Sequence, residues 1–511
     1  MSETIEQIFA RSQAKHLAGN FREAEVGYRQ ILAAQPNHAD SIHMLGVLAH
    51  QTGQQQIALD LILRAISIND LSAQYFSNLS LVLSSLGRNQ EALAALKRAL
   101  ALKPDDAVSL TNLANTLIDL GQYTEATTAA RRLIQLYPKF HLGYFNLGNA
   151  ERLLDHLEES AKAYETAIEL KPNYTECMTN LANVYFTLQK LDQAFAVWDR
   201  IFDIPNYPMA RLNRSIAFLL RGDYQRGFEE YESRLLVPES GTVPPDLGRP
   251  RWNGEPLHGQ RILLYAEQAF GDTFNFARYI PMVAERGGKI ILCCHPASME
   301  LLKNIPGVDR VTSMMQPLPE FDLHCPLPSL PWVFQTRLDS IPAEIPYIHA
   351  DPAKIEFWKS RLAGENRRKI GLAWAGRPIP RNRFVPPQLL APLANVANVR
   401  FYSLQKSDAS ATTEKPPLEM VDWTEELKDF SDTAGLIANL DLILTVDTAV
   451  AHLAGAMGKP TWIMLKFVPD WRWMLGRSDS LWYPTARLFR QERLNDWQSP
   501  VDEIVAALNL L

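Results

Sequence analysis

Two patterns of apolar and polar positions divide the chain. Over residues 1–236 the pattern is helical and recurs every 34 residues. Pro104, Pro138 and Pro172 mark the period, with Pro36 two periods earlier. Gly19, Gly53, Gly87 and Gly121 run in phase, as do Ala24, Ala58, Ala92, Ala126, Ser160 and Ala194. From residue 261 onward, short apolar runs alternate with helical ones. They predict strands at Ile262–Ala266, Lys289–Cys293, Val308–Thr312, from Lys369, at Val399–Leu404, Asp441–Val446 and Thr461–Leu465. Such alternation implies parallel sheets with helices on both faces. Between the two patterns, residues 237–260 are rich in proline and glycine and read as a linker. The last eleven residues, Val501–Leu511, predict an amphipathic closing helix.

The first pattern is that of tetratricopeptide repeats: two antiparallel helices per unit, a small residue where they cross, and a proline at the exit. Six units are in register, the sixth ending one residue early at Pro205. A degenerate seventh with Gly222, Tyr224 and Tyr231 reads as a cap over the last apolar face. Asn78, Asn112, Asn146 and Asn180 occupy the same place in successive units, and Asn115, Asn149 and Asn183 lie three residues beyond the last three. That spacing puts each pair on one helical face. A side-chain amide both donates and accepts, so a ladder of them suits the backbone of an extended peptide. The competing reading is local helix-to-helix contact.

At 511 residues, two or three domains are expected. The formal net charge of −6 argues against a general nucleic-acid binder. No signal-peptide pattern follows Met1, and no apolar run approaches spanning length. Cys177, Cys293, Cys294 and Cys325 have neither zinc-ligand spacing nor disulfide density, so a cytoplasmic setting is the simplest expectation.

The candidate chemistry lies in the second half. DLILTVDTAVAHLAGAMGKP, Asp441 to Pro460, reads as a buried strand, a polar corner at Asp447 and Thr448, and a short small-residue helix stopped at Gly458. Such a corner aims free N–H groups and the positive helix end at one point, which suits a phosphate. An ordinary strand–helix unit has the same outline. Three other corners are expected to open on the same cleft: one at Gly271 and Asp272, one at Gly376, Arg377, Asn382 and Arg383, and one at Gln405 and Lys406. Together they offer a carboxylate and several cations around a helix start, as a diphosphate ligand requires. Asp272 alone is also explained as the N-cap of a helix starting near Thr273. No Asp-X-Asp pair follows residue 237, in keeping with chemistry that uses no metal.

The stretches AEQAFGDTFNFARYIP, FDLHCPLPSLP, GLAWAGRP, FYSLQK, VDTAVAHLAGAMGKPTW and PDWRWMLGRSDSLWYPTARLFRQ resemble the heptosyltransferases of lipopolysaccharide assembly. They are more similar still to bacterial proteins joining tetratricopeptide repeats to such a domain. The domain order also resembles the O-linked N-acetylglucosamine transferases, whose asparagine ladders hold peptides. The resemblance implies a GT-B fold, with Rossmann-like halves at 261–360 and 361–511, a nucleotide-sugar donor, and inverting transfer with no essential metal. It implies Asp272 as general base. Thr448, Ala449 and His452 match the helix that holds the donor diphosphate, and Gln405 with Lys406 is similar to a phosphate-contacting pair. With Gly376, Arg377 and Asp447 these make up the expected donor site. Two departures stand out: RPIPRNRFVPP follows Gly376 where relatives carry an Asn-Asp-Arg-like stretch, and Ala269 replaces a common glycine. The expected activity is glycosyl transfer to a protein or peptide held by the repeats. The alternatives are a repeat adaptor with a degenerate transferase domain, or a transferase for a cell-surface saccharide precursor. In PDWRWMLGRSDSLWYP the tryptophans either pack a domain seam or stack on a ligand, and Asp470 and Arg472 are donor contacts by position alone.

Overall fold

The computed structural model describes residues 3–202, 207–238, 246–267, 269–376, 384–406, 412 and 414–511. The chain forms two compact units, Met1–Asp203 and Ile204–Leu511.

The first unit holds twelve described helices in antiparallel pairs, from Ile5–Leu17 to Leu191–Phe202. The recurring small residues do what their spacing predicts. Ala24, Ala58, Ala92, Ala126, Ser160 and Ala194 are wholly buried where paired helices cross. The recurring glycines turn the chain between paired helices, at φ +79° for Gly53, a conformation that costs other residues more. Each pair packs one face on the next, so the core is a continuous stripe rather than a single centre.

The unit boundary falls ahead of the seventh helix pair, Pro208–Arg221 and Tyr224–Tyr231. The latter, here the cap helix, packs Tyr224 and Phe228 against Trp471. Its apolar face is therefore covered by the α/β region of the same unit. The described part of the linker continues the first sheet, Arg251 bridging to His324.

The second unit carries two wholly parallel sheets. The first is ordered β3-β2-β1-β4, with β1 Arg261–Tyr265, β2 Lys289–Cys293, β3 Val308–Thr312 and β4 Leu323–Pro326. The second is ordered β10-β9-β8-β5-β6-β7, with β5 Arg368–Ala373, β6 Val399–Ser403, β7 Met420–Val421, β8 Leu442–Val446, β9 Thr461–Leu465 and β10 Ala486–Arg490. Every residue of β8 and β9 is buried, as strands covered on both faces must be. In each sheet the strand order reverses once, beside β1 in the first and between β5 and β8 in the second. Ligands of open parallel sheets bind at carboxyl ends beside such a reversal. The corners after β1, β5 and β8 lie there, and the corner after β6 is one strand further out.

Candidate functional site

Two short helices bring two of these corners together. The first, Phe270–Phe276, follows β1 and the second, Ala449–Ala456, follows β8. They pack directly on each other. A Cβ placed on Gly271 would lie 2.7 Å from Cδ2 of His452, so only glycine fits at this approach. The second helix also meets Tyr483, whose ring would sit 2.5 Å from a Cβ on Gly455. Gly271→Ala is expected to force the helices apart and destabilise the second unit by about 1–3 kcal/mol, read from its urea unfolding midpoint.

Asp272 lies in the first turn of its helix, whose N-cap is Ala269 and not Asp272. The side chain is 28% exposed, and Oδ1 accepts from Arg472 Nη2 at 2.5 Å. Arg472 corrects its expected role as a donor contact. It is buried between Trp471 and Phe276, and it donates to Asp470 Oδ1 at 2.9 Å and to Asn275 Oδ1 at 3.1 Å. Burial works against its charge, but the two carboxylates more than offset that and hold it cationic. Its task is to fix Asp272. The tryptophans around it also prove to be packing residues: Trp471, Trp473 and Trp482 are buried, and Trp482 donates to Tyr224 of the cap helix at 2.8 Å.

At the second corner Thr448 is the N-cap, with extended φ −141°, but its side chain caps no backbone N–H. Its hydroxyl lies 3.2 Å from that of Thr445. Asp447, Thr448 and Ala449 are half-buried, so the helix start is accessible. His452 is buried one turn in, stacked on Trp473, with Nδ1 3.0 Å from the Tyr483 hydroxyl and Nε2 3.6 Å from Asp447 Oδ1. Burial disfavours its imidazolium, but Tyr483 and Asp447 outweigh burial and raise its pKa above the ordinary histidine value.

The remaining candidates separate. Gln405 Oε1 accepts from the backbone of Trp374 at 3.1 Å and Ala375 at 2.8 Å, tying the end of β6 to the end of β5. Lys406 is exposed and makes no ion pair among the described residues. Gly376 is half-buried at the end of the β5 corner, while Arg377, Asn382 and Arg383 lie outside the described residues.

Sequence reasoning passed over several residues that complete this region. Arg234, just after the cap helix, is buried and forks onto Glu267 at 2.8 and 2.9 Å, with further bonds to Glu232 at 2.8 Å and Ser329 at 2.6 Å. Arg251 pairs with the same Glu232. Tyr231 of the cap helix packs on Arg234, and the charges of Asp272, Arg472 and Glu267 act on its hydroxyl. Asn275 was findable, because it lies three residues after Asp272 on a helix. Tyr483 and Arg234 carried no local signal.

In the repeats, four asparagines bridge neighbouring units. Nδ2 of Asn78 lies 2.9 Å from His43 Nε2, that of Asn112 donates to Ser77 Oγ at 3.4 Å, and that of Asn146 to the Thr111 carbonyl at 3.2 Å. Asn180 donates to Asn149 Oδ1 at 3.0 Å, which also accepts from Tyr164 at 2.6 Å. Burial pushes His43 down to about 4, keeping its ring a neutral partner for Asn78. Asn115 is exposed and Asn183 half-buried. Asn146→Ala is expected to cost about 0.5–1.5 kcal/mol, the net worth of one buried hydrogen bond, since the Thr111 carbonyl keeps its helical donor. The repeat unit's urea midpoint checks this, and an unchanged midpoint would show that the contact contributes nothing.

Family models for the tetratricopeptide repeat match residues 83–142 and 141–174. Protein FlbA of Caulobacter vibrioides is 27% identical over 328 residues, covering 59% of this chain and 55% of that protein. The chain thus spans about half the length of this curated relative. Among solved structures, MamA is 24% identical, with 32% of this chain and 96% of that chain covered at a TM-score of 0.29. PilW, titled a widely conserved type IV pilus biogenesis factor, is 15% identical, with 40% and 96% covered at 0.38. YrrB, titled a TPR protein with an unusual peptide-binding site, is 18% identical, with 34% and 90% covered at 0.30. The chain carries tetratricopeptide repeats, followed by a region of parallel sheets, and is similar in part to FlbA. No helix among the described residues is long and apolar enough to cross a membrane.

Proposed function

We propose that the second unit is a GT-B glycosyltransferase, moving a sugar from a nucleotide-sugar donor to a protein or peptide bound by the repeats, with inversion and no metal. One observation carries the reading: the Asp272 helix and the Thr448 helix pack together at the carboxyl ends of two parallel sheets. An acceptor hydroxyl attacks the anomeric carbon as the bond to the nucleoside diphosphate breaks. Asp272 takes the hydroxyl proton. The diphosphate gathers negative charge as it leaves, and the first N–H groups of helix Ala449–Ala456 and the Lys406 ammonium stabilise it there. Gln405 serves this site by holding the β5 corner in place.

The acceptor side rests on the repeats. Asn115, exposed on the ladder face, is offered to an extended peptide. A second reading, a repeat adaptor whose second unit binds nucleotide without transfer, is favoured by the ion pair that already engages Asp272.

Calorimetry with UDP, GDP, CDP and ADP tests the donor site, and mass spectrometry of co-expressed proteins for added sugars tests transfer. Binding without modification selects the adaptor, and the absence of both removes the transferase. Lys406→Ala is expected to weaken the nucleoside diphosphate that binds by about tenfold, the loss of one charge-assisted bond. Unchanged affinity would take Lys406 out of the site.

A further inference from the structure

The two corners are joined by more than helix packing. Asp272 Oδ1 accepts from Arg472 Nη2 at 2.5 Å, and Arg472 Nε donates to Asn275 Oδ1 at 3.1 Å. Asn275 Nδ2 donates to the Tyr483 hydroxyl at 2.9 Å, which lies 3.0 Å from His452 Nδ1. His452 Nε2 in turn faces Asp447 Oδ1 at 3.6 Å. The ends of this chain are part-exposed carboxylates, one at each corner, and every member between them is buried.

The order of groups is chemically fixed. A guanidinium only donates, so the Asn275 amide must turn its oxygen to Arg472 and its nitrogen to Tyr483. A carboxylate only accepts, so a proton on His452 Nε2 is favoured where it faces Asp447. Bonds of this kind in a water-poor interior polarise one another. Arg278 closes the surroundings, donating to the Asn275 carbonyl at 2.9 Å and to the Tyr347 hydroxyl at 2.9 Å.

We propose that Asn275 and Tyr483 are positioning residues, which transmit charge between Asp272 at one corner and His452 with Asp447 at the other. In a transferase, that would tie the state of the proton acceptor to the state of the leaving-group corner. This consequence rests on the proposed function, whereas the coupling itself does not. The groups facing His452 are Asp447 from its own corner, Tyr483 and Arg472 from the segment after β9, and Gly271 from the opposing helix.

The test follows the His452 ring by NMR in the full chain carrying ring-labelled histidine, assigned by the signal missing from His452→Gln. Asp272→Asn does not touch His452, yet it leaves the Arg472 charge less screened. The His452 midpoint is expected to fall by roughly half a pH unit. With Asn275→Leu or Tyr483→Phe also present, Asp272→Asn should produce less than half of that change. Tyr483→Phe retains the ring that packs on Gly455, and so carries the comparison if Asn275→Leu does not fold. Should the ring hold one state across the accessible range, its carbon resonance at fixed pH serves the same comparison. An unmoved His452 in Asp272→Asn, or an equal change with the link cut, overturns the proposal. The four nucleoside diphosphates are titrated into the same samples. Coupling without nucleotide binding would keep the link and count against the donor site, and binding without coupling would remove the link and leave the donor site standing.

Discussion

Arg234→Met is expected to cost the second unit about 3–5 kcal/mol, the usual penalty for stripping the partner from a buried charge. Arg234 and Glu267 are 1% and 3% exposed, and the guanidinium fork supplies both bonds to that carboxylate. Methionine fills much of the space but leaves Glu267 ionised among apolar neighbours, with Glu232 nearby. The loss should depend on pH. Burial already raises the Glu267 carboxyl above its ordinary value, and the Arg234 fork opposes this without cancelling it. Removing the fork raises it further. A carboxyl raised in the folded state binds its proton more tightly folded than unfolded, so stability is lost as pH rises through the folded pKa. The variant's deficit is therefore expected to be smaller at pH 5 than at pH 8, measured by urea unfolding at both. An equal deficit at both would mean that Glu267 finds another cation, with Arg251 the nearest candidate through Glu232. The same experiment reports on the cap helix, because Arg234 joins the segment after it to the end of β1.

What could be read from residues alone follows the range of the interaction concerned. The helical repeats were legible because crossing, turning and exit each demand a residue type, and these recur in register. Seven strands were legible as apolar runs, but three were not. β4, Leu323–Pro326, is four residues long and ends in a proline within a proline-rich stretch. β7 has two residues, and β10 interleaves two arginines with its apolar positions. The corners were legible because a strand, a polar turn and a small-residue helix form a local pattern. Their partners were not. Arg472 stands 200 residues from Asp272, and position on a tryptophan-rich stretch suggested a ligand contact where the fold makes a clamp. The asparagines show the same limit. A period of 34 places them on one face, but not whether each amide points into a groove or back to the preceding unit, where Asn146 finds the Thr111 carbonyl.

The clamp gives Asp272→Asn its value as the decisive substitution. Asparagine keeps the size of the side chain and an oxygen for Arg472 Nη2, and Arg472 retains Asp470 at 2.9 Å. The fold and the donor corner should therefore persist, with the affinity for a nucleoside diphosphate unchanged within about twofold, since the helix start at Thr448 and Ala449 is not touched. What disappears is the ability to take a proton. For a transferase the expected loss in rate is about 10²–10⁴, or about 3–5 kcal/mol of barrier, at full donor occupancy. Arg472→Lys supplies the contrast. It keeps the positive charge but gives up the planar fork that holds Asp272, Asp470 and Asn275 together, so the base remains and its aim is lost. Its rate should lie between those of the wild type and Asp272→Asn. If Asp272→Asn transfers sugar at the wild-type rate while Arg472→Lys is impaired, then Asp272 serves to seat the arginine, and the proton goes elsewhere.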